Sequence, residues 1–148
     1  MNKKSGKSVR DLFLQLLRTR MALRRALQRT LKKNDAGISF EMLQVMNRLY
    51  DHPGYSQQSL AESISKSKAS MSNIIANLEK RGYVRREEDP RDRRNRRVFL
   101  TEEGILFHYR LAPMTEEVYA FTEERFGKDK AVKIKKLLKE LYDILETY

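Results

Sequence analysis

The chain has 148 residues, 40% hydrophobic and 34% charged, which suits one folded domain or two small modules sharing a core and excludes a disordered chain. Its formal net charge of +11 favours a polyanionic partner, nucleic acid or an anionic membrane surface. The absence of cysteine excludes disulfides, thiolate metal sites and a cysteine peroxide sensor, and it fits a reducing compartment.

No apolar run approaches the ~18–20 residues of a membrane span. The stretch Leu12-Phe13-Leu14-Gln15-Leu16-Leu17 is too interrupted for a signal peptide. A cytoplasmic protein with no membrane partner is expected. The charge is unevenly placed. Residues 1–33 carry eleven basic and one acidic side chain, and residues 66–97 carry eleven basic and five acidic.

Residues 8–33 repeat Val9, Leu12, Phe13, Leu16, Leu23, Leu27 and Leu31 at helical spacing, predicting a long amphipathic helix with arginines on its other face. That basic face reads first as the solvated side of a packing helix, and Lys3, Lys4 and Lys7 read as an arm adding weak electrostatic attraction. Asn34-Asp35-Ala36-Gly37 ends the helix. Ser39 caps the next, 40–51, with Leu43, Met46, Leu49 and Tyr50 inward. After the turn His52-Pro53-Gly54, Ser56 caps a short helix, 57–64, with Leu60, Ala61 and Ile64 on one side. Ser65-Lys66 turns the chain, and Ser67 caps a helix that runs to Arg81 and stops at Gly82.

Strand-like patterns follow over 83–89 and 96–100, joined by a charged loop from Pro90 to Asn95 in a long hairpin. Thr101 caps a further helix with Glu102 and Glu103 in its first turn. Pro113 is expected to kink or split it, and Gly127 to end it. The last helix spaces Ala131, Ile134, Leu138, Leu141, Leu145 and Tyr148 as a short heptad seam. The seam is shorter than the ~3–4 heptads of a free coiled coil, so it suits packing against other helices, including those of a second subunit.

The helix 67–81 carries the functional signal. Met71, Ile74, Ile75 and Leu78 fall on one stripe that must be buried. Opposite lie Ala69, Asn73, Ala76 and Lys80, flanked by Ser72 and Asn77. A solvated helix face is usually rich in Glu and Lys; this one is small and neutral-polar. A major groove ~12 Å wide admits such a helix, small residues permit close approach, and asparagine pairs bidentately with adenine. The preceding short helix and turn complete a helix-turn-helix. The hairpin tip, Asp89 to Arg97, holds five arginines and two aspartates, suited to phosphates or a narrow minor groove. Asp92 is expected to hold a neighbouring arginine.

Residues 38–104 closely resemble the MarR (multiple antibiotic resistance regulator) family of bacterial transcription factors. The resemblance rests on Ser56-Gln57-Gln58-Ser59-Leu60-Ala61-Glu62, on Ser70 to Val84, on Asp89-Pro90-Arg91-Asp92-Arg93-Arg94, and on Val98-Phe99-Leu100-Thr101-Glu102-Glu103-Gly104. It implies a homodimer with interleaved terminal helices, a wing arginine at Arg94 partnered by Asp92, repression of transcription, and release from DNA by a small phenolic or anionic effector. Lys66 departs from the family's apolar turn residue, and Asn73 stands where arginine is common.

The expected fold class is mainly α with a small β-hairpin wing (α+β): a dimerisation helix over 1–36, a winged helix-turn-helix over 37–100 and dimerisation helices over 101–148. Double-stranded DNA is the expected partner. Its contacts are Ser67, Lys68, Ala69, Ser70, Ser72, Asn73, Asn77 and Lys80 on the recognition helix; Ser56, Gln57 and Lys66 on the supporting helix and turn; and Arg91, Asp92, Arg93, Arg94 and Arg96 on the wing. Dimerisation falls to Leu12, Leu16, Ile134, Leu138, Leu141 and Leu145.

His52 and His108 stand apart without metal-ligand spacing, no glycine-rich phosphate loop is present, and Asp51-His52 and Glu103 form no nucleophile–base set. Neither metal, cofactor nor enzymatic activity is expected. Phe13, Met21, Phe40, Tyr50, Phe107 and Tyr109 lie on elements able to line an effector cleft, but core packing is the stronger reading of each, and no ligand site is assigned. The leading expectation is a sequence-specific dimeric repressor reading a pseudo-palindrome. The alternative is a non-specific architectural DNA-binding protein.

Overall fold

Serine and threonine caps set the starts of four helices in a computed structural model that describes residues 6–148; the expected arm residues Lys3 and Lys4 lie outside them. The elements are α1 (Lys7–Lys33), α2 (Phe40–Asp51), β1 (Tyr55–Ser56), α3 (Gln57–Ser63), α4 (Lys68–Lys80), β2 (Val84–Asp89), β3 (Asp92–Leu100), α5 (Glu102–Phe126) and α6 (Lys128–Leu145). The Ser39, Ser56 and Ser67 side chains accept from the backbone N–H groups of Met42, Ser59 and Ser70. Thr101 Oγ1 accepts from Gly104 N–H at 3.0 Å. Each cap satisfies a donor that the first helical turn leaves unpaired.

Three helix ends share one stop. At α1, α3 and α4 the N–H two residues beyond the last helical position's cap reaches back five residues: Ala36 to Leu31, Lys66 to Ala61 and Tyr83 to Leu78. This 6→1 bond closes only when the residue before it is left-handed. Asp35 (φ 49°), Ser65 (φ 53°) and Gly82 (φ 81°) take that conformation. In the helix-turn-helix, therefore, a serine fills a position that favours glycine.

The chain forms two compact units that divide between Met114 and Thr115. In the first, one core gathers Leu31, Leu43, Met46 and Leu49, Leu60 and Ile64, Met71, Ile75 and Leu78, Val84 and Val98, and Phe107 and Leu111. The stripe expected on α4 is thus buried, with Ile74 packed at its margin. Tyr50, expected inward on α2, is 40% exposed. Val45, at 0%, takes the inward place, because α2 is enclosed on more sides than one amphipathic stripe.

The sheet has strand order β1-β3-β2, all antiparallel. One element here was not anticipated, and one expectation fails. The two-residue strand β1, which pairs Tyr55 with Val98 and Ser56 with Arg97, carries too little pattern to be read from sequence. The expected loop from Pro90 to Asn95 is mostly strand, since β3 already begins at Asp92. From the rung Glu88–Arg96 to the rung Asp89–Asp92, β2 advances one residue while β3 covers four. Arg93, Arg94 and Asn95 therefore sit in a bulge that re-aims them away from the regular ladder.

Pro113 neither splits nor ends α5, which is continuous from Glu102 to Phe126. Proline removes one backbone donor, and the helical bonds on either side carry the element through. Gly127 (φ +100°) separates α5 from α6. Along α1 only Leu27 and Leu31 are buried, and α6 buries no residue.

Gly104 joins the sheet to α5. A Cβ there would overlap the Tyr83 carbonyl oxygen, while Thr101 N–H donates to the same carbonyl at 3.0 Å. Helix propensity alone favours alanine over glycine by about 1 kcal/mol. The backbone contact reverses that sign. Gly104→Ala is expected to destabilise the protein by about 1–3 kcal/mol, read as a lower denaturation midpoint with unchanged slope.

Candidate nucleic-acid interface

Helix α4 turns its two sides to different surroundings. Met71, Ile75 and Leu78 are fully buried, which fixes the rotation of the helix. Lys68, Ala69, Ser70, Asn73, Ala76, Asn77 and Lys80 are consequently exposed, with Ser72 half-buried. The recognition-helix residues read from the sequence thus share one solvent-facing side. Two have local duties. The Asn77 carboxamide oxygen accepts from Arg81 Nε at 3.0 Å, and the Ser67 hydroxyl oxygen is the cap.

The supporting elements are more constrained than the sequence suggests. The Ser56 hydroxyl accepts from Ser59 N–H and donates to Ser59 Oγ at 2.9 Å, so its local hydrogen bonds are made. Lys66 is half-buried, and its charge helps hold the Glu41 carboxyl below its usual range. Burial of Glu41 acts in the opposite direction and is the largest single influence. The hydrogen bond from Arg24, joined by the Glu41 backbone and the Arg24 and Lys66 charges, outweighs it. The Arg24 Nη2–Glu41 Oε1 distance is 2.7 Å.

The wing sorts its arginines by position. Arg97 Nε donates to the Gly54 carbonyl at 3.1 Å, and both Arg97 and Arg85 lie over the Phe99 ring at 5.6 and 4.6 Å. These two brace the hairpin. Arg91, Arg93, Arg94 and Arg96 are exposed. Asp89 and Asp92 each accept from the backbone N–H two residues on, at Arg91 (2.9 Å) and Arg94 (3.0 Å). Asp92 therefore holds the main chain at Arg94, an Asx-turn contact, and fixes where that side chain leaves the tip.

A cleft of about 300 Å³ joins these pieces, lined by Gln57, Gln58, Lys68, Arg86, Arg94, Asn95 and Arg96. Four of these, Gln57, Lys68, Arg94 and Arg96, were expected at the interface. Gln58, Arg86 and Asn95 were not. The signal for Arg86 was present: strand alternation places it on the same face of β2 as buried Val84, an unusual position for an arginine.

Elsewhere, Phe40 and Phe107 are core residues, whereas Met21 is exposed. Tyr50 and Tyr109 are hydrogen-bonded through their hydroxyls at 3.2 Å, and the His108 ring stacks on Tyr50 with centroids 4.2 Å apart. His108 Nε2 lies 3.1 Å from Asn47 Oδ1. No cluster able to hold a metal ion occurs among the described residues, nor does any described helix have the length and apolarity to cross a membrane.

Burial holds the His108 imidazole below its usual pKa, against a smaller upward pull from Asp51. As pH falls through about 6.5, the unfolded chain takes up this proton first, so stability falls with acidification through that range. The expected outcome is that lowering the pH from about 7.5 to 5.5 reduces the melting temperature more in the native protein than in His108→Gln. Equal reductions would show that His108 carries none of the dependence.

The MarR family model matches residues 39–95. The transcriptional regulator HosA of Escherichia coli O111:H- is 47% identical over 60 residues, 40% of this chain and 44% of that protein; the chain thus spans less than half the length of this relative. The HTH-type transcriptional regulator FarR of Neisseria gonorrhoeae is 30% identical over 111 residues, 75% of this chain and 76% of FarR. Among solved structures, transcriptional regulator PA4135 superposes with a TM-score of 0.82 at 31% identity, covering 90% of this chain and 96% of that one.

Proposed function

This chain belongs to the MarR family, and from that premise we propose that it is a sequence-specific DNA-binding transcriptional regulator working in the cytoplasm as a homodimer. The observation that carries the reading is the exposed, small and neutral-polar face of α4 beside a bulged, arginine-rich wing. Ala69, Asn73 and Ala76 let the helix approach base edges. Arg91, Arg93, Arg94 and Arg96 supply positive charge for the backbone or a narrow minor groove. Ser67, Lys68, Ser70, Ser72, Asn77 and Lys80, with Ser56, Gln57 and Lys66, complete the proposed contact surface.

Dimerisation is supported by apolar side chains that the single chain leaves uncovered. Leu12 is 43% exposed, Ile134 44%, Leu138 37% and Leu145 52%; Leu16 and Leu141 are half-buried. A two-fold dimer would set two recognition helices about one DNA turn, roughly 34 Å, apart on a pseudo-palindrome. Repression by occupying an operator is the action that asks least of the rest of the surface. Family membership also supports release by a small phenolic or anionic effector. The aromatic group of Tyr50, His108 and Tyr109 offers stacking and hydroxyl partners for one.

A second reading, non-specific architectural binding, draws on the exposed arginines of α1, among them Arg10, Arg18, Arg20, Arg25 and Arg29. The ratio of specific to random DNA affinity at matched salt separates the two, with about 10³ or more expected for a regulator. Footprinting on genomic fragments should show a protected pseudo-palindrome, and repetition with phenolic and anionic ligands tests release. Asn73→Ala is expected to cost on the order of 1–3 kcal/mol and to relax preference at one base position per half-site. Arg94→Ala should weaken binding by contrast with a shallower salt dependence if its main contact is phosphate. A footprint without sequence preference would overturn the reading.

A further inference from the structure

The cleft between the starts of α3 and α4 and the wing is a built cationic site rather than a gap between surface charges. Its lining carries three arginines and one lysine, with Gln57, Gln58 and Asn95 as neutral hydrogen-bond partners. No carboxylate lines it among the described residues. Such a lining matches an oxyanion with several acceptor oxygens, since guanidinium and ammonium donors make their strongest hydrogen bonds to charged acceptors.

Arg86 differs from the other three cations. Arg94, Arg96 and Lys68 are exposed, whereas the Arg86 side chain keeps only 17% of its surface accessible. Its Nε is buried without a hydrogen-bond partner, and its ionic neighbour Glu79 stands 3.4 Å away at Oε2 with 46% of its own side chain exposed. A partly buried guanidinium held by one loosely placed, solvated carboxylate retains capacity for a further anion. Across the ladder Arg86 pairs with Val98, a core residue, so the regular part of the sheet fixes its position. Arg94 instead lies in the bulged tip, outside the regular ladder.

We propose that this cleft seats one phosphate-type oxyanion, supplied by a backbone phosphodiester of bound DNA, and that Arg86 is its fixed floor. The inference rests on the DNA-binding reading above and deepens it. The wing and recognition helix would be registered on the duplex by a phosphate gripped between them. Arg86 would then contribute equally to every sequence, unlike Asn73.

The test measures the affinity of the full-length protein for its footprinted site and for random duplex over a range of salt. Arg86→Gln is expected to weaken both about tenfold and to make the slope of log K against log salt shallower by about 0.9, the value for one phosphate contact. Arg86→Lys, which keeps the charge, should restore most of that slope. Glu79→Gln, which frees Arg86 from its neighbour, should tighten binding to both DNAs. A shallower slope in Arg86→Gln that Arg86→Lys restores supports the seat. An unchanged slope in a folded Arg86→Gln overturns it, as does an equal loss in Arg86→Gln and Arg86→Lys at unchanged slope, which is the mark of a merely structural arginine.

Inorganic phosphate replacing chloride at constant ionic strength distinguishes the source. Selective binding of free phosphate to the native protein, with no slope change in Arg86→Gln, would overturn the DNA assignment in favour of a free anion. Failure of the native protein to bind any duplex would instead overturn the functional reading itself, whatever Arg86 does.

Discussion

Burial of one stripe of α4 determines how the molecule presents itself. Met71, Ile75 and Leu78 are at 0% exposure in a core shared with α2, α3, β2 and β3. Removing any of them would leave a cavity costing about 2–5 kcal/mol. More importantly, their packing sets the helix's rotation about its axis. Once those three side chains are inside, Ala69, Asn73 and Ala76 must face out. The proposed reading surface is therefore a consequence of core packing and needs no hydrogen bond of its own to hold it.

The wing depends on the same core from the other side. Val84 and Val98 anchor β2 and β3 in it, while Arg97 ties the hairpin to the Gly54 carbonyl. From that fixed base the ladder runs outward until the bulge, where two Asx contacts take over the main chain at Arg91 and Arg94. The ladder thus holds the base of the hairpin, and local aspartate contacts hold its tip. Arg86 belongs to the ordered end and Arg94 to the bulged end. A backbone clamp built from both would join a half-buried donor set in the ladder to an exposed one at the tip.

The terminal helices follow different rules. Val9, Leu12, Leu17 and Leu23 of α1 are 43–57% exposed, and α6 buries nothing. An amphipathic helix gains most of its stability from covering its apolar face. Covering such faces is what the proposed second copy would do.

How much of this was legible in the sequence varies by element. The four expected helix starts at Ser39, Ser56, Ser67 and Thr101 and the stops at Asn34–Gly37, Gly82 and Gly127 follow from local chemistry: a cap or left-handed residue at a position where only a few residue types satisfy the backbone. The inward stripe of α4 follows from period alone. What depended on tertiary context was read less well. Tyr50 looked inward by spacing but is exposed, because its outward environment is a partnership with His108 and Tyr109 from α5. Pro113 was expected to kink or split its helix, and α5 is not split there. β1 is two residues long and exists only because β3 lies beside it.

The sequence by itself determined that helix α4 is there, about where it begins and ends, and which of its faces is polar, since capping and periodicity are local and act within a few residues. It also showed that Asp89 to Arg97 is an arginine-rich tip. Only the tertiary structure decided which arginines brace and which remain available, because that depends on register: a bulge of three residues separates Arg94 from the ladder, and strand pairing places Arg97 on Gly54. The same register carries Arg86 beneath the cleft beside Gln57 and Lys68, residues distant in the chain that local pattern does not connect.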